Sequence, residues 1–199
     1  MSKASTPGVA SPDAPRAGDE PAWVDAVIGY WLRDRDGAQW FTRDPVLDAD
    51  IRARFGALHA QLARDPAPAP RSPREALATL IVLDQFSRNL FRADRRAFAS
   101  DVAARRIASD ALEAGWQAGM SAREGLFLSL PFEHSESLAD QARAVALTRA
   151  LGNESWMRFA RQHSDIIARF GRFPHRNAAL GRASTAEELA FLTGSGSSF

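Results

Sequence analysis

The chain of 199 residues has no cysteine. That excludes a disulfide scaffold, a cysteine zinc site, an iron–sulfur cluster and a thiolate nucleophile. Lysine occurs once, at Lys3, so the other 24 of the 25 basic residues are arginine. Schiff-base chemistry therefore has no lysine to use in the folded part, whereas arginine stays charged and forks onto carboxylates or phosphates. Neither sign of charge dominates, with 25 basic against 24 acidic residues and a net charge of +1. This balance argues against a dedicated nucleic-acid binder. No run approaches the roughly 18 apolar residues of a membrane span. The opening MSKASTPGVASPDAPRAG carries no apolar leader segment, so a cytoplasmic location is expected. Alternating strand patterns are missing and β-branched residues are sparse, which leaves an all-α reading.

What is present fits one globular domain behind a tail. Residues 1–20 hold Pro7, Pro12 and Pro15 with almost nothing to bury, and are expected to be disordered. From 21 to 199 a single all-α domain is expected, an antiparallel array of about eight helices. The first helix is expected from Pro21 to Arg35, and Asp44-Pro45 opens the second. Four prolines from Pro66 to Pro73 mark a loop. Ser72-Pro73-Arg74-Glu75 then starts a helix to Leu90 that is apolar nearly all round, hence central. A helix follows from about Ala97 to Trp116, and Ser121-Ala122-Arg123-Glu124 caps a short apolar one. Pro131 is expected to begin another, running to Ala150. Asn153 caps a helix that Gly171 and Pro174 end, and Ser184 and Thr185 precede the last.

Four groups of polar residues stand out. Asp84 lies on an apolar stripe of the central helix with Arg88 four residues on, either a polar knot or the floor of a ligand site. Gln85 and Asn89 repeat that spacing. Glu133, Glu136 and Asp140 share one face of a helix taken to start at Pro131, where they complement its dipole, and His134 sits among them. His163 points inward with Trp156 and Phe170, either as a core histidine or as a ligand-facing one. Arg169 to Asn177 alternates arginine with aromatic residues around Gly171 and Pro174. Its backbone donors are expected to be available, so Arg172, His175 and Arg176 suit an anion; the alternative is a turn that pairs with the acidic face.

Three segments carry a family resemblance: LDQFSRNLFR (83–92), LPFEHSE with Asp140-Gln141 downstream (130–141), and RFGRFPHRNAALGRAST followed by Glu187 and Glu188 (169–188). Together they resemble the bacterial domain of unknown function 924 family, over residues 21 to about 192. The resemblance implies an all-α, tetratricopeptide-like stack of helical hairpins. It implies no activity, substrate or cofactor. Ser87 departs from the proline expected after LDQF, and with serine there the helix can continue without a kink.

These readings combine into one expectation. Asp84, Arg88, Arg172, His175, Arg176 and Asn177 line a polar cleft for a small anionic molecule or a peptide carboxylate. Glu133, His134 and His163 are the candidate acid/base residues. No cofactor is expected. No HExxH or HxH spacing supports a metal site. Two alternatives stand beside this one. One is a tetratricopeptide-like interaction module whose polar motifs are scaffold. The other is a hydrolase, metal-independent or weakly metal-dependent, that uses a His/Glu pair. Neither a membrane nor a nucleic acid is an expected partner.

Overall fold

The computed structural model describes residues 20–35, 37–64, 67–194 and 197, and every regular element among them is helical. Helix α1 (Ala22–Ile28) is prolonged by a π-helical turn, Gly29–Arg33. Helix α2 is Pro45–Leu62. Helix α3 begins as Pro73–Leu80, widens into a π-helical turn at Ile81–Phe86 and closes at Ser87–Leu90. Then come α4 (Asp101–Glu113), α5 (Ala122–Glu133), α6 (Leu138–Ala150), α7 (Glu154–Phe170) and α8 (Ala186–Leu192). Residues 1–19 of the expected tail lie outside the described residues. Glu20 is bound to the fold through Arg74 Nε (3.0 Å) and Ser72 Oγ (3.2 Å).

The helix starts follow from side-chain oxygens that take up otherwise unbonded N–H groups. Asp44 accepts from Val46, Ser72 from Glu75 and Asn153 from Trp156. Ser121–Glu124 and Thr185–Glu188 form reciprocal capping boxes. Gly171 ends α7 with φ 68, a left-handed conformation that costs glycine little.

Helix α3 is central and packs on α1, α2, α4 and α5, while α4 to α7 pack each on the next. The core is aromatic along its length. Tyr30 meets Phe55 at 4.9 Å between ring centroids, Phe55 meets Phe86 at 5.0 Å, and Phe86 meets Trp31 at 5.2 Å. A smaller core of Ile166, Ile167 and Phe173 lies under Phe170 and Phe191, and α8 packs there against the turn Pro174–Arg176.

Three local expectations are corrected. Pro131 does not begin a helix; it lies inside α5, and α6 starts at Leu138 after a break. The capping box at Ser121 nucleates α5, and its buried run from Leu126 to Phe132 outweighs the one hydrogen bond proline forfeits. The shared acidic face of residues 133–140 therefore does not exist. Glu133 ends α5, Glu136 is in the loop and Asp140 is in the first turn of α6. The helix expected over 97–116 is divided into a 3-10 turn at Arg95–Phe98, then α4, then a 3-10 turn at Trp116–Gly119.

Candidate functional site

The π-helical turn of α3 carries Asp84, which is 1% exposed. Such turns insert a residue into an α-helix and are frequent at functional sites. A buried carboxylate must be answered by donors and charge. Asp84 accepts from Gln85 Nε2 at 2.6 Å, meets His134 Nδ1 at 2.8 Å and lies 3.2 Å from Arg88 Nη1. Burial alone would raise the Asp84 carboxyl. Arg88 and His134 outweigh it and hold the group well below the usual carboxylate range. Serine at position 87 lets the helix run on; its hydroxyl donates to the Leu83 carbonyl at 2.6 Å.

His134 caps the C-terminus of α5, where the last carbonyls have no donors of their own. The buried Gln141 amide supplies them, donating to the Glu133 carbonyl (2.6 Å) and the Ser135 carbonyl (2.7 Å). This clamp holds the chain where His134 reaches Asp84. The only hydrogen bond of the His134 side chain among the described residues goes through Nδ1. Burial and the nearby Arg88 lower its pKa, although Asp84 opposes them.

Behind this pair lies a second one. His163 Nδ1 donates to the Phe159 carbonyl at 2.9 Å and sits 3.1 Å from Glu133 Oε1. The rings of His134 and His163 are 6.0 Å apart. Burial, with the Asp84 charge, pushes the Glu133 carboxyl up to about 8. Burial, with His134, pushes His163 down to about 3. Both groups are therefore uncharged at neutral pH. Glu133 Oε2 is buried with no hydrogen-bond partner among the described residues.

Two guanidinium groups close the cluster. Arg88 bridges Asp84 to Asp101 at 3.2 and 3.3 Å. Arg176 Nη1 donates to the same Asp101 at 3.3 Å. The Arg176 guanidinium lies between the rings of Phe173 (4.4 Å) and Phe98 (4.7 Å). Burial and the Arg88 charge lower Arg176 to about 10, which leaves it a cation at neutral pH. Its Nε is buried with no acceptor among the described residues. His175 sits 5.6 Å from Phe173, ring to ring, and burial with the Arg176 charge lowers it to about 3.

The structure thus gathers Asp84, Arg88, Glu133, His134, His163, His175 and Arg176 around one buried cluster. Arg172 and Asn177 belong to a different one. Arg172 forks onto Glu188 at 2.6 and 2.8 Å and donates to the Ala183 carbonyl at 2.9 Å. Asn177 donates to Ser184 at 3.0 Å and accepts from Arg182 Nε at 2.9 Å. These contacts tie the last helix to the turn before it. The backbone donors expected to be available there are in use, because Pro174 opens a short 3-10 turn. The Phe173 N–H donates to Glu136 at 2.8 Å and the Arg176 N–H to the Phe173 carbonyl at 3.1 Å. Glu136 also receives Arg182 at 2.7 and 2.9 Å.

Sequence reasoning missed Asp101, the carboxylate shared by both arginines, and the two rings that sandwich Arg176. It also missed His59, whose Nε2 lies 2.7 Å from Ser87 Oγ. Since Ser87 donates to a backbone carbonyl, that histidine donates to the hydroxyl, and the pair is a structural tie. Gln85 and Asn89, which repeat the spacing of Asp84 and Arg88, bind Asp84 and Asp48. Among the described residues no group of three or more histidine and carboxylate side chains is disposed to hold a metal ion. No described helix is long and apolar enough to cross a membrane.

An all-helical array built around a buried histidine–carboxylate–arginine cluster is the class of protein these features define. The chain belongs to a family of bacterial proteins of unknown function, DUF924, which matches residues 27–196. Among solved structures it is similar to a protein of unknown function from Agrobacterium tumefaciens. The two are 35% identical with a TM-score of 0.79, over 86% of this chain and 97% of the other. No curated protein matches the chain.

Proposed function

We propose that the chain binds a small anionic molecule, or a peptide carboxylate, at the cluster of Asp84, Arg88, His134 and Arg176. The observation that carries this reading is the Arg176 guanidinium, which is buried and cationic with its Nε–H lacking an acceptor among the described residues. A buried donor left unpaired is costly, and a ligand oxygen would remove that cost. The array is read with it as a tetratricopeptide-like stack in a cytoplasmic protein, consistent with the successive pairing of α4 to α7.

The 2.8 Å contact between Asp84 and His134 favours a second, chemical reading. With Nδ1–H donated to the carboxylate, the ring presents the Nε2 lone pair. It can accept a proton from water or a ligand hydroxyl, and Asp84 stabilises the imidazolium that results. Asp84, not Glu133, is then the partner of the base.

The test is thermal and chemical denaturation with a panel of small carboxylates and phosphates. A ligand at about a hundred times its Kd should stabilise the protein by about 3 kcal/mol. Arg176→Gln should reduce the effect, and His134→Asn should remove any turnover of a ligand that stabilises the protein. A panel that stabilises neither form overturns the anion reading. Peptide binding that survives Arg176→Gln would instead favour the interaction module.

A further inference from the structure

Only half of the segment LDQFSRNLFR serves the histidine cluster. Its second half, Asn89 to Arg92, lines a cavity of about 370 Å³ beside the N-terminal turn of α2. Small-molecule sites start at about this size.

The walls of this cavity are charged in an uneven way. Arg92 binds Asp48 through both Nε and Nη2, and Asn89 Nδ2 adds a third bond to that carboxylate at 2.8 Å. Arg96 forks onto Asp94 at 2.9 and 3.1 Å. Both wall carboxylates are thereby answered. Two further arginines line the same cavity. Arg52 donates to the Leu90 carbonyl at 2.7 Å and is in no ion pair among the described residues. Arg43 is exposed and joins none of the hydrogen bonds or ion pairs there. The turn that brings Arg92 and Arg96 to one rim contains Ala93 at φ 60, a left-handed conformation disfavoured for any residue with a Cβ.

We propose that this cavity is a second, separate anion site. It takes a small organic dianion, a phosphate monoester or a dicarboxylate, with Arg43 and Arg52 supplying the uncompensated charge. Guanidinium groups fork onto either kind of oxyanion. The Arg92–Asp48 pair, largely buried, and the exposed Arg96–Asp94 pair line the walls. The site does not depend on the function proposed for the histidine cluster.

The test is isothermal titration of the full chain with inorganic phosphate and, separately, with succinate. In the Arg176→Gln background, which removes the site proposed at the histidine cluster, saturable one-to-one binding is expected, weakened at least tenfold when Arg43→Gln/Arg52→Gln is added. Binding should persist in about 0.1 M salt, where exposed charges are screened beyond about 10 Å. Tighter binding of phosphate assigns the monoester, and tighter binding of succinate the dicarboxylate. The single variant Arg43→Gln breaks no hydrogen bond or ion pair among the described residues and should by itself weaken binding. No saturable heat with either probe overturns the proposal. So does binding that Arg43→Gln and the double variant leave intact, binding that Arg176→Gln abolishes, or binding that salt removes.

Discussion

Glu133 makes the stability of this protein fall as pH rises, and Glu133→Gln isolates the effect. The carboxyl is 3% exposed, with one oxygen beside His163 Nδ1 at 3.1 Å and the other unbonded among the described residues. Its pKa rises from 4.5 in the unfolded chain to about 8 in the fold. Below pH 4.5 both states hold the proton and the stabilising contribution is complete. Between 4.5 and 8 the unfolded chain has released its proton while the fold keeps it, so each unit of rising pH favours unfolding. The slope approaches 1.4 kcal/mol per unit, or about 2 kcal/mol between pH 6.5 and pH 8. Glutamine keeps the shape and an oxygen for His163 Nδ1 but has no proton to lose. Urea denaturation of both proteins across this range should give a difference that declines with pH and levels off above 8. Two parallel curves would refute the reasoning, because Glu133 would then titrate as an ordinary carboxyl.

On the acid side the two histidines act with the opposite sign. His163 and His175 are lowered from 6.5 to about 3, so the unfolded chain takes up protons first as pH falls. Stability should drop from pH 6.5 toward 3, and with Glu133 this places the maximum near 6.5; His163→Asn should flatten the acid limb in the same denaturation series. At the C-terminus, Arg172 and the Thr185 backbone hold Glu188 down to about 2. Glu188→Gln should weaken that fork and speed proteolysis after residue 176 while leaving cleavage within α2 and α3 unchanged, and equal rates in the two proteins would count against the tie.

Local chemistry was legible wherever a few neighbouring residues decide the outcome. The caps at Asp44, Ser72, Ser121, Asn153 and Thr185 could be read because each closes a ring within three residues. Pro131 misled because proline suits a helix start and is also tolerated inside a buried helix. Only the packing of Leu126 to Phe132 decides between the two. The candidate residues were recognisable as polar groups on apolar faces, but their pairing was not. Glu133 and His134 adjoin in sequence, and adjacent helical residues project in different directions. So His134 meets Asp84 at a separation of 50 residues, and Glu133 meets His163. Asp101 was invisible for the same reason, since its second arginine lies 75 residues away.

The wide turn in α3 amounts to a reversible insertion. Removing one residue between Ile81 and Phe86 would restore the tighter hydrogen-bond ladder and rotate everything from Ser87 onward by about 100°. Arg88 would leave Asp84, and Asn89 and Arg92 would leave Asp48, in a single step. The two polar clusters therefore share one mechanical phase. A lineage that lost that residue would lose both arrangements together, and deletion scanning along α3 would find this one turn intolerant for reasons no single side chain explains.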